Sequence, residues 1–370
     1  MRTVHGGDIY TYQGMLDFSV NVNPLGPSGR VLRAAEEGVR HMEAYPDIRC
    51  RRLRARLAEK LDVPGGSLLF GNGAADLIYT LALAEKPKRA LVAVPAFSEY
   101  EKALQAAGCG IEYYETEKKD LFCITEEFPD RLDGGMDMLF LCAPSNPAGR
   151  VTKREILVRT AERCEDLGIR FVLDECFMGF LPEEESFSLR KEAPRFRKLF
   201  LLRSFTKLHA MPGLRLGYGI SSDPDLIRRM EGASQPWSVS VPAQEAALAA
   251  LEDDGRVERT RVLVREQRQR LENALAGLGV DYIPSQANYI LLYSEYDLFR
   301  EFAQRGILIR DCSDYRGLGK GWYRIAVRTE QENGRLLKAL EEILQEHPAG
   351  EAGERENTGG KERAEWPDRS

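Results

Sequence analysis

Asn146 in Ala-Pro-Ser-Asn-Pro, Asp174 in Leu-Asp-Glu-Cys-Phe and Lys207 in Arg-Ser-Phe-Thr-Lys each follow a short apolar run. Such runs form buried parallel strands, and groups at the carboxyl ends of those strands converge on one crevice. The chemistry of the three is complementary. A lysine can hold a carbonyl compound as a Schiff base. A carboxylate can keep a pyridine nitrogen protonated, and an amide can donate to a phenolic oxygen. Ser204, three residues before the lysine, and Arg215, eight after it, suit a phosphate. So does Gly71-Asn72-Gly73-Ala74-Ala75, which opens a helix and offers free backbone N–H groups at a positive dipole end. Taken singly, these residues are a turn, a cap, a solvated lysine or a surface ion-pair partner. Taken together and in this order, they make a site for pyridoxal 5′-phosphate (PLP) with Lys207 as its covalent attachment.

The elements that must position these groups are legible as a pattern. Residues up to 27 are rich in Gly, Asn and Pro and read as an arm without regular structure. Helices are predicted over 28–42 and 51–61, the first capped by Ser28. Strands at 68–70, 90–94, 138–142, 170–173, 199–202 and 216–220 then alternate with helices at 74–84, 98–107 and 153–167. That alternation predicts an α/β fold: a mostly parallel sheet, covered on both faces, in a large domain over 28–240. A long helical stretch after Trp237, an interdomain segment over 241–280, links it to a small α+β domain over 281–347 that part of the N-terminal segment joins. The tail 348–370 has no apolar pattern and is expected to be disordered.

Composition narrows the function classes. The chain has 370 residues and a net charge of -6 with both signs mixed, which argues against a general nucleic-acid surface. Its 7 cysteines are odd in number, and none has CxxC spacing, so neither a disulfide framework nor a metal site is indicated. The N-terminus lacks an apolar leader, and no apolar run is long enough to span a membrane. A cytoplasmic protein is expected.

Two longer stretches carry a family resemblance. Ser204-Phe205-Thr206-Lys207 leading to Gly213-Leu214-Arg215-Leu216-Gly217-Tyr218, and Asn146-Pro147 followed by Asp174-Glu175, resemble the fold-type I PLP enzymes of the class I/II aminotransferase superfamily. The likeness to the histidinol-phosphate aminotransferase branch extends over residues 5–346. It implies Lys207 as the Schiff-base lysine, Asp174 as the pyridine partner and Asn146 as the phenolic-oxygen donor. Gly73, Ala74, Ala75, Ser204 and Arg215 are then the phosphate cup. Phe97 matches an aromatic that stacks on the ring. Tyr45 matches a tyrosine that reaches the phosphate from the other subunit of a homodimer.

The arm His5-Gly6-Gly7-Asp8, with Gln235-Pro236-Trp237 and Ile309-Arg310-Asp311-Cys312, is similar to the threonine-phosphate decarboxylases of cobalamin biosynthesis. That resemblance implies conversion of L-threonine O-3-phosphate to (R)-1-amino-2-propanol O-phosphate and carbon dioxide. Phe177 stands where the transaminases usually carry a tyrosine, and Arg328 where they usually carry glycine. His5, Asn23, Arg324 and Arg328 are the candidates for gripping a substrate with two anionic groups, Arg324 taking the carboxylate. A histidinol-phosphate-type aminotransferase and an L-serine O-phosphate decarboxylase are the alternatives. A PLP-binding regulator of transcription is disfavoured, because no basic helix-turn-helix precedes residue 30.

Overall fold

The computed structural model describes residues 5–347, and the expectation for the tail 348–370 lies outside them. Seven strands make the central sheet: β2 (Leu68–Gly71), β3 (Arg89–Val94), β4 (Gly110–Glu115), β5 (Met138–Cys142), β6 (Arg170–Asp174), β7 (Leu199–Ser204) and β8 (Gly217–Ile220). A further strand, β1 (Leu16–Asp17), precedes them. Their order is β2-β8-β7-β6-β5-β3-β4. β4, β3, β5, β6 and β7 pair in parallel, while β8 runs antiparallel to both β7 and β2.

Burial on both faces explains why these strands read as unbroken apolar runs. Leu139, Phe171 and Leu201 point into one buried cluster, whereas Phe140, Val172 and Phe200 point into another across the sheet. The helices covering it include α1 (Gly29–Val39), α2 (Arg51–Leu61), α3 (Ala74–Glu85), α4 (Ser98–Ala106) and α5 (Arg154–Leu167). Ser28 caps α1 by accepting from the Val31 N–H, as its position predicts. The short α6 (Glu184–Phe187) and α7 (Phe205–Leu208) follow β6 and β7, and α8 (Pro224–Ala233) follows β8.

The predicted helix after Trp237 is two helices, α9 (Val241–Leu251) and α10 (Asp254–Gly277). The break falls at Glu252-Asp253, where a run of three acidic residues followed by Gly255 disfavours continuation. α10 leads to a four-stranded antiparallel sheet of β9 (Asp281–Ile283), β10 (Tyr289–Tyr293), β12 (Arg310–Asp311) and β13 (Trp322–Ala326). Helices α11 (Leu298–Gln304) and α12 (Glu330–Glu346) complete it. β11 (Ile307–Leu308) lies outside this sheet and pairs in parallel with β1. The arm thus contains a strand, contrary to expectation. Phe18, fully buried, packs there with Leu271, Leu275 and Ile325. β4 was not predicted; it lies at the sheet edge with half its residues exposed, so its apolar signal is diluted. Among the described residues no helix is long and apolar enough to cross a membrane.

Candidate active site

Lys207 lies on α7, one turn beyond the end of β7. Ser204 starts that turn: its Oγ accepts from the Thr206 N–H at 3.0 Å. The lysine lines a cavity of about 120 Å³ together with Ala74, Ala75, Phe97, Asn146, Asp174, Ser204 and Arg215. The sheet therefore gathers into one place eight of the nine residues expected to meet the cofactor from within one chain. The ninth, Gly73, is adjacent. It sits at φ +87°, and a Cβ on it would stand 2.3 Å from Arg215 Nη2. A Cβ on Gly217 would stand 2.4 Å from the Ala74 nitrogen. Both glycines thus keep the N-terminus of α3 open beside a guanidinium, which is the form of an anion cup.

The electrostatics suit an amine nucleophile. Burial, followed by the positive charges of Arg324 and Arg215, pulls the Lys207 ammonium down to about 8. Its Nζ lies 5.5 Å from the centre of the Phe177 ring. Cys142 and Cys176 also line the cavity, but burial and then Asp174 push both thiols well up. They stay protonated and do not compete with the lysine. Asp174, buried at the end of β6, accepts from the Cys176 N–H at 2.9 Å and from the Tyr100 hydroxyl at 2.5 Å. Asn146 uses its Oδ1 to accept from Arg324, which leaves its amide N–H groups directed elsewhere. These residues fit PLP: a desolvated amine, a buried carboxylate, an amide donor and an N–H cup with an arginine.

A second cavity of about 620 Å³ shares Phe97 with the first and is lined by His5, Lys102, Arg310, Tyr315 and Arg316. Arg310 and Arg324 face each other directly across β12 and β13. Like charges opposite one another disfavour a sheet unless an anion joins them. In this structure Asp314 holds Arg310 at 2.7 and 2.9 Å. Arg324 donates to the Ser19 carbonyl at 3.0 Å. His5 reaches Glu99 at 3.0 Å and is half exposed.

Two expectations change. Asn23 is not free to grip a substrate: its amide donates to the Leu208 carbonyl at 2.7 Å and the Thr260 hydroxyl at 2.8 Å, and its Oδ1 accepts from the Leu25 N–H. Its backbone N–H bonds the Lys207 carbonyl, so it ties the arm to the lysine turn. Arg328 lines neither cavity. It pairs with Glu332 at 2.7 Å at the start of α12, and Arg310 takes its expected place beside Arg324. Tyr45, expected to act on the other subunit of a homodimer, is 79% exposed and packs on Trp237 with ring centres 4.6 Å apart, outside both cavities of its own chain. Sequence reasoning passed over Tyr100 and Arg310. Tyr100 lies one helical turn beyond Phe97, which was a usable signal, whereas the Arg310–Arg324 pairing needed the strand register. Among the described residues no group of three or more His, Cys, Asp or Glu is placed to hold a metal ion.

The model of a family described as aminotransferase class I and II matches residues 13–340. A threonine-phosphate decarboxylase of Salmonella typhimurium is 39% identical over 356 residues, covering 93% of this chain and 97% of that protein. A histidinol-phosphate aminotransferase of Symbiobacterium thermophilum is 34% identical over 340 residues, covering 90% of this chain and 91% of the other. Among solved structures, a histidinol-phosphate aminotransferase from Clostridium acetobutylicum is similar with a TM-score of 0.84 and 27% identity, over 90% of this chain and 100% of that one.

Proposed function

The chain belongs to the class I and II aminotransferase family and is a PLP-dependent enzyme; from that premise we propose that it decarboxylates L-threonine O-3-phosphate to (R)-1-amino-2-propanol O-phosphate and carbon dioxide. The observation that carries this reading is Phe177. It is buried against Tyr289, with ring centres 4.9 Å apart, three residues after Asp174, where the transaminases of the family usually carry a tyrosine. Its ring gives Lys207 an apolar neighbour and no hydroxyl. The 39% identity to a threonine-phosphate decarboxylase supports the same choice.

Bound PLP supplies an electron sink for the bond cleaved at Cα. Which bond that would be is decided by how the protein's own residues hold the substrate. Arg324, buried beside Asn146, takes the substrate carboxylate. Arg310, His5 and Lys102, which line the wider cavity, take the phosphate. Binding energy from that remote phosphate would fix the substrate's pose and so select loss of the carboxylate over loss of the α-hydrogen. Phe177 and Tyr289 exclude water from the reacting side. Lys207, with its ammonium near neutrality, returns a proton to Cα after carbon dioxide leaves. The product would feed cobalamin biosynthesis.

We also infer a homodimer. Ile48 and Trp237 are exposed on one pocket rim, and Tyr45, exposed too, packs on Trp237; together they form an apolar surface that a second copy would cover. Sedimentation velocity at micromolar concentration checks this, with a monomer as the contrary result.

The deciding experiment supplies the PLP-loaded protein with L-threonine O-3-phosphate and measures carbon dioxide. Release without any keto acid supports the proposal. Amino transfer from histidinol phosphate to 2-oxoglutarate, with no carbon dioxide, supports the aminotransferase reading that the 34% relative favours. Carbon dioxide from L-serine O-phosphate at an equal kcat/KM would move the assignment to that substrate, since one methyl group is worth only about 1–3 kcal/mol.

A further inference from the structure

Tyr100 lies 1% exposed on α4, in the apolar interior behind the cofactor cavity. Its ring stacks on Phe140 with centres 5.0 Å apart and meets Phe97 edge-on at 5.9 Å. Its hydroxyl reaches Asp174 Oδ2 at 2.5 Å. The other carboxylate oxygen, Oδ1, accepts the Cys176 N–H at 2.9 Å. Two donors from different elements therefore hold one carboxylate, and the side chain cannot turn about its Cα–Cβ bond without breaking both. A buried carboxylate whose charge is shared with a donor is stabilised as the anion, the form that pairs with a protonated ring nitrogen.

We infer that Tyr100 is a positioning residue that sets the orientation and charge distribution of Asp174 toward the cofactor ring nitrogen, and that α4 links this contact to the ring-stacking residue Phe97. Burial and the neighbouring Asp174 push the Tyr100 hydroxyl well up, so it remains a donor throughout the working pH range. Phe97, which caps α4, and Tyr100, in its first turn, pack against each other and move as one unit. A shift of α4 would disturb the face and the nitrogen end of the ring together. The inference rests on reading Asp174 as the pyridine partner, and its test separates the two.

The test uses apoprotein of wild type, Tyr100→Phe, Asp174→Asn and the double variant. Each is titrated with PLP for its Kd, and the visible band of each loaded protein is followed against pH. Phenylalanine keeps the stacking on Phe140, and circular dichroism with Tm confirms that the fold is kept. Tyr100→Phe is expected to weaken PLP binding about tenfold, the scale of one hydrogen bond to a charged group. It should also displace the pH midpoint of the visible band. In the Asp174→Asn background the same change should have no further effect on Kd or on the midpoint. A Tyr100→Phe Kd within twofold of wild type, or an equal loss in the Asp174→Asn background, overturns the inference. An Asp174→Asn variant that binds PLP as wild type does overturns the reading of Asp174 and the inference with it.

Discussion

At the cofactor end of the crevice, Asp174, Ser204 and Lys207 stand on or just beyond strands buried on both faces. At the substrate end, His5, Lys102, Arg310 and Arg316 come from an arm, a helix, a two-residue strand and a loop. The first group is locked. Behind it Arg203 and Glu175, both buried, pair at 2.5 Å and bind Ser188, so the ends of β6 and β7 cannot drift apart. The second group is held by exchangeable carboxylates: Glu99 on His5 and Lys102, Asp314 on Arg310, Glu101 on Arg316. A substrate anion replaces such partners at modest cost, whereas nothing replaces the strand framework. On the proposed reading, one end carries the chemistry common to the family and the other the choice of substrate.

Mutations break this contrast in order of size. Lys207→Ala should lower kcat by about 10³-fold, the scale of a lost proton-transfer group, with the fold unchanged by circular dichroism. A surviving rate within tenfold of wild type would remove Lys207 from the reaction. Arg310→Met should raise KM for the phosphorylated substrate about 30-fold, while leaving PLP affinity unaltered, because it belongs to the substrate end alone. A parallel loss of PLP affinity would erase the distinction between the two ends.

The pH dependence follows from Lys207. Only its neutral amine attacks a carbonyl, and its ammonium lies at about 8 in the folded apoprotein against an ordinary 10.5. PLP capture by apoprotein should therefore rise with pH up to about 8 and level off above it. At pH 7 the rate should be about tenfold below the plateau. A rise that continues to pH 10 would mean the amine is not desolvated. The smallest effect is expected at Arg328. Arg328→Ala should change KM by less than about twofold, its partner Glu332 being a helix neighbour in a part-exposed pair. A loss matching that of Arg310→Met would return Arg328 to the substrate end.

Much of the large sheet was legible because buried parallel strands leave unmistakable apolar runs, and the cofactor residues follow those runs directly. β4 escaped because an exposed edge strand lacks that signature, and β8 reads alike in either direction, since hydrophobic pattern carries no polarity. The substrate end was read less well. Arg328 and Asn23 were chosen on type and position, and both are committed elsewhere by contacts across long sequence separations: Arg328 above Phe18 of the arm, Asn23 to Thr260.

The order and types of Asn146, Asp174, Lys207 and Arg215 were enough by themselves to point to a candidate PLP site on an α/β sheet, because strand ends in such a sheet have only one crevice to meet in. Tertiary structure alone decided the rest. It paired Arg310 with Arg324 through strand register, brought Tyr100 onto Asp174 from 74 residues away, and turned Asn23 from a ligand into a tie. Those outcomes depend on which side chains meet after the chain has folded, and a linear pattern records a residue's own burial but not the identity of its partner.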